Sequence, residues 1–168
     1  MHRTSIVLAA IATALVASAS AQTRPTGTDK LQSAAFLVGT WNCKHTVGDF
    51  SGTYITTYAS TLGDRWLKQT YDFPATGEDA QPVHAEYFLG YDVRVDRWVR
   101  FGAHNNAQYY GMFGKRADNV WSWSYVLPGT SGSAVWTRQS DVEYTVDGPS
   151  YPQNGKVVTE HHACRKSS

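Results

Sequence analysis

From residue 40 onward, apolar and polar side chains alternate with a period of two. Over 40–47 one face carries Trp41, Cys43, His45 and Val47, and the other carries Thr40, Asn42, Lys44 and Thr46. The alternation recurs over 119–126, where Trp121, Trp123 and Tyr125 oppose Val120, Ser122, Ser124 and Val126. Reading the chain this way predicts strands over 40–47, 52–62, 65–73, 84–91, 97–104, 107–113, 119–126, 133–139, 141–146 and 156–164. Gly, Pro, Asn and Asp clusters fall between them, among them 114–118 and 147–155, which read as turn and loop. About ten short strands, with turn signals every ~8–12 residues, are the pattern of an all-β barrel or sandwich. Short hairpin links favour a single up-and-down antiparallel β-barrel.

Ahead of residue 40 the pattern is helical. Thr28-Asp29 is placed to cap a short helix carrying Leu31, Ala34, Ala35 and Leu37 on one face and ending at Gly39. So short a helix must pack on something, and it suits the floor or lid of a barrel opening. Further back, 6–17 is an unbroken apolar run, followed by the small-x-small triplet Ala19-Ser20-Ala21. That is the form of a signal peptide over 1–21, too short to span a bilayer. The expectation is an exported chain, periplasmic or secreted, with one barrel domain over 22–168.

Charge narrows the partners. The chain has 15 Lys and Arg against 14 Asp and Glu. Arg3 is the sole charge in the leader, so 14 basic residues would face 14 acidic ones afterwards. This balance lacks the basic footprint of a nucleic-acid binder or a polybasic membrane-surface protein, and no later apolar run predicts integral membrane association. Aromatic residues make up 13% of the chain, more than a small solid core needs, and they suit strands and pocket walls.

The two cysteines, Cys43 and Cys164, are an even pair in a chain expected to meet oxidising conditions. They read as a disulfide, with free thiols as the alternative. No CxxC or HExxH spacing is present. In an even-stranded up-and-down barrel the first and last strands meet antiparallel. If Cys43 faces Cys164 across that seam, two steps along each strand bring His45 opposite His162 on the face of Trp41. Such a pair is close enough to share a metal, a ligand or a proton; two hydrogen-bonded histidines at a barrel rim is the plainer account. Glu160 shares the His162 face as a candidate acid–base partner.

The stretch Phe36-Leu37-Val38-Gly39-Thr40-Trp41 resembles the opening of lipocalin-like barrels, where Gly-x-Trp stands at the start of the first strand. Gly63-Asp64-Arg65-Trp66-Leu67 and Phe88-Leu89-Gly90-Tyr91-Asp92, with Trp98 following, resemble hairpins of a bacterial family of uncharacterised lipocalin-like proteins. Asp64 interrupts the first motif, and Val93 replaces the proline of the second. The resemblance implies a calycin-type barrel and carries no activity with it. The nitrobindins open similarly and hold haem through a histidine near the C-terminus; here Asn42-Cys43-Lys44 replaces their acidic, Gly-rich continuation.

The functional expectation is an exported barrel that takes a small apolar or aromatic molecule into its interior. Its candidate binding residues are His45, His162, Trp41, Trp121, Trp123 and Tyr125. The competing expectation is a haem-binding or enzymatic barrel using His45 and His162 in the cavity. No nucleophile elbow, phosphate loop or paired-carboxylate spacing supports a particular reaction.

Overall fold

Burial follows the period of two from the first strand. Trp41, Cys43, His45 and Val47 turn inward, while Asn42 and Lys44 face solvent. The computed structural model describes residues 26–75, 81–127, 132–153 and 155–168, without side chains for 151–153. The expected signal peptide over 1–21 lies outside the described residues. Ten strands follow one another: β1 (Gly39–Val47), β2 (Phe50–Thr61), β3 (Trp66–Phe73), β4 (Val83–Asp92), β5 (Arg97–His104), β6 (Tyr109–Ala117), β7 (Val120–Tyr125), β8 (Ser133–Arg138), β9 (Glu143–Gln153) and β10 (Lys156–Lys166). Each pairs antiparallel with its sequence neighbour, and β1 pairs with β10 to close the barrel. This is the all-β, up-and-down barrel expected from the alternation, and a closed sheet leaves no open edge.

The seam has the expected register. Cys43 pairs with Cys164 and His45 with His162. The two cysteines form a disulfide inside the barrel, with Cα atoms 4.1 Å apart. Tyr54 Oη lies 3.8 Å from Cys164 Sγ, and Tyr144 Oη lies 4.0 Å from Cys43 Sγ.

One end of the barrel is plugged. Helix α1 (Gly27–Gln32) is followed by a 3-10 turn over Ala35–Leu37. The cap lies two residues earlier than Thr28. Thr26 is its cap, and Asp29 reaches back to the Thr26 backbone to complete a capping box. Leu31, Ala34 and Leu37 are buried against Trp41, Trp98 and Trp121, and Trp41 Nε1 donates to the Leu37 carbonyl at 2.6 Å. Ala35, expected on the apolar face, is exposed. The break into a tighter turn after Gln32 brings Phe36 against the core instead.

Two strands run further than their composition suggests. β6 continues through Gly114 to Ala117, where the sequence reads as a turn. A Cβ on Gly114 would stand 2.6 Å from Trp123 Cε3, so this glycine is a flat seat for an indole ring rather than a bend. β9 runs through the Gly/Pro stretch to Gln153. Its register slips against β10 between Thr159 and His161, so that Gly148 and Pro149 together oppose Glu160. A bulge of this kind tolerates proline within a sheet, because the extra residue drops out of the ladder. A Cβ on Gly148 would lie 2.9 Å from the Glu160 side chain, so the glycine leaves that carboxylate its space.

Candidate functional site

Above the Trp41 floor the barrel is hollow. A cavity of about 380 Å³ lies between the sheet walls, within the size range of small-molecule sites. Its wall is phenolic more than aliphatic: Tyr54, Tyr58, Tyr71, Tyr87, Tyr110, Tyr125 and Tyr144 all line it. Burial raises the Tyr58 and Tyr125 hydroxyls to about 12 and pushes Tyr54, Tyr71 and Tyr144 upward as well. At neutral pH these phenols are therefore uncharged and supply O–H donors.

The cavity holds one cation. Arg100 lies in phase with Trp98 on β5 and turns inward. A directed chain of hydrogen bonds holds it. Thr56 Oγ1 donates to the Thr70 carbonyl at 2.7 Å, and Gln69 Nε2 donates to Thr56 Oγ1 at 2.9 Å. Gln69 Oε1 then accepts from Arg100 at 3.0 Å and 3.3 Å. The guanidinium lies over the Tyr87 ring at 3.6 Å from its centroid. Another of its nitrogens approaches Met112 Sδ at 3.6 Å. Among the described residues no carboxylate forms an ion pair with Arg100. Its five N–H donors meet one amide oxygen, one sulfur and the Tyr87 side chain, which leaves capacity for an anion.

A second polar centre stands on the seam. The His45 and His162 rings stack with centroids 4.5 Å apart and planes 22° apart. Glu160 Oε1 lies 2.9 Å from His45 Nε2 and 3.5 Å from His162 Nε2. His162 Nδ1 is 2.9 Å from the Tyr54 hydroxyl. Phe50 and Phe73 pack around His45. Burial works against charge on the Glu160 carboxyl, but the His162 and His45 imidazoles beside it outweigh burial and keep it ionised. Burial lowers His162, which Glu160 only partly restores. The centre at neutral pH is a carboxylate with a neutral His162 beside it.

The residues expected to bind divide by depth. Tyr125 lines the cavity, and His162 borders it with Glu160. Trp41, Trp121 and Trp123 are buried lower down and do not line it. Trp41 meets Tyr144 edge-on, Trp121 packs on Phe36 and Trp98, and Trp123 leans on Trp136. His45 sits behind His162, away from the cavity wall. The sequence reading missed Arg100, Gln69 and His104. The available signal was phase: Trp98, Arg100, Gly102 and His104 alternate onto one face of β5.

An axial haem ligand is not well served here. His162 turns its two ring nitrogens to Tyr54 and Glu160 rather than to the open cavity, and His45 lies beyond it. The residues present do not fit that group.

The fold and cavity together define a closed, ten-stranded antiparallel barrel with a plugged floor and an aromatic interior, consistent with a calycin-type fold. In comparisons with known proteins, no family model and no curated protein matches the chain.

Proposed function

We propose that this protein is a binding barrel for a small aromatic molecule that carries an acidic group. The observation that carries this reading is Arg100, a cation that turns into a largely phenolic cavity and, among the described residues, forms no ion pair; Glu160, the carboxylate on the same wall, is held by the two seam histidines instead. A half-buried charge without a paired carboxylate is costly, and a bound anion would give the guanidinium its partner. The ligand's ring would lie against Tyr125 and Trp136, and its acid would meet the remaining N–H groups on the edge of the guanidinium. The resemblance to lipocalin-like barrels supports a carrier role. The disulfide agrees with export to an oxidising compartment, and N-terminal sequencing of the exported protein should begin at Gln22.

The test compares naphthalene-2-carboxylate with its neutral amide by calorimetry. A charge-assisted hydrogen bond contributes ~1.5–3 kcal/mol, so the acid should bind about 10–100-fold more tightly. Arg100→Met should erase that preference while preserving binding of the amide. Equal binding of acid and amide by the wild-type protein would refute the reading.

A further inference from the structure

We infer that His45, His162 and Glu160 form a binding site for a divalent first-row transition ion, with two imidazole nitrogens and one carboxylate oxygen as ligands. The site is independent of the cavity ligand proposed above.

Three observations converge. First, the donor atoms are gathered: one atom from each residue lies within 4.8 Å of the others. A tetrahedral ion with bonds of ~2.0–2.1 Å holds its ligand atoms ~3.3 Å apart. The separations of 2.9 Å and 3.5 Å from Glu160 Oε1 to the two Nε2 atoms straddle that value. Both imidazoles present the same edge to one carboxylate oxygen, as ligands to a shared centre do.

Second, His45 is buried with little to hold its ring. It is 8% exposed, its Nδ1 has no hydrogen-bond partner, and the group its Nε2 meets is Glu160 Oε1 at 2.9 Å. A buried imidazole so sparsely bonded is uncommon, and a metal ion between Nε2 and that carboxylate would satisfy both.

Third, the supporting shell is built. The disulfide two residues away ties β1 to β10 in the register that faces the histidines. The Gly148-Pro149 bulge makes room for Glu160. Tyr54 meets His162 Nδ1, the place where ligating histidines take an outer partner that fixes ring orientation. With both cysteines in the disulfide, no thiolate competes. Two imidazoles and one carboxylate suit zinc, cobalt or ferrous ions and leave at least one coordination position without a protein ligand. Glu160 and His162 also border the cavity.

The experiment uses full-length protein purified without a histidine tag, stripped by chelator and titrated with Co²⁺. One equivalent should bind, with visible bands of low-coordinate cobalt. His45→Gln and Glu160→Gln should each weaken uptake by at least about 100-fold. Tyr54→Phe, one shell out, should weaken it ~10–100-fold. A measurement on wild-type protein removes any dependence on how the variants fold. On adding Zn²⁺, the ring nitrogens of His45 and His162 should shift in long-range ¹H–¹⁵N spectra, while those of His84, paired to Asp72 on the outer wall, should not. No uptake of Co²⁺, equal uptake by wild type and both variants, or shifts confined to other histidines would each overturn the assignment.

Discussion

Reducing the disulfide should cost this barrel a large share of its stability. Cys43 and Cys164 are separated by 121 residues, so the bond closes most of the described chain into one loop. For a loop of that length the chain-entropy relation gives about 5 kcal/mol at 25 °C. Whole domains are stable by only ~5–15 kcal/mol. Measured values usually fall below the entropic figure, so a loss of ~2–5 kcal/mol is expected. The assay is guanidinium unfolding followed by tryptophan fluorescence, with and without a phosphine reductant, and thiol titration to confirm reduction. The midpoint should fall, and the slope should steepen, because the reduced unfolded chain expands and exposes more surface. Replacing both cysteines by alanine should cost more than reduction, since the sulfurs also fill space beside Tyr54 and Tyr144. A fully reduced protein whose stability changes by less than about 0.5 kcal/mol would refute the reasoning. The native strand network, not the crosslink, would then be setting the chain's freedom.

Two further outcomes follow from the interior. Stability should fall on both sides of neutrality. His162 and His104 are lowered by burial, so the unfolded chain takes up protons first as pH drops below about 6.5, and Glu160, held ionised, adds a second loss below about 4.5. Above pH 10 the unfolded chain releases phenol protons that Tyr58 and Tyr125 keep until about 12, worth up to ~2.7 kcal/mol each. Thermal melts across pH with absorbance at the phenolate band check both limbs, and phenols that all titrate near 10 in the folded protein would contradict the second. Gly114→Ala should destabilise by ~1–3 kcal/mol, because its methyl meets the buried Trp123 ring; an unchanged denaturation midpoint would show that the ring has room to move.

The seam was legible because one covalent pairing and a period of two leave no freedom. Once Cys43 faces Cys164, His45 must face His162. The ten strands were legible for the same reason, alternation punctuated by turns. Depth was not. Trp121, Trp123 and Tyr125 share one face of β7, yet two are buried in the packed core and one lines the cavity. Period assigns a face and says nothing of height along the barrel axis. Arg100 escaped notice because an arginine in a strand reads as solvent-facing, and its inward turn depends on Gln69 and Tyr87 from neighbouring strands. Gly148-Pro149 read as loop because local composition favours a turn there, whereas pairing with β10 carries the strand onward.

β1 begins, and β10 ends, beside the plug. Trp41 is opposite Lys166, and Lys166 Nζ donates to the Phe36 carbonyl at 2.9 Å. The hollow part of the barrel lies at the other pole. A tether, dye or second domain joined after Ser168 would therefore leave from the sealed base. Protein anchored through that tail would stand like a cup on its foot, with its bowl turned away from the support.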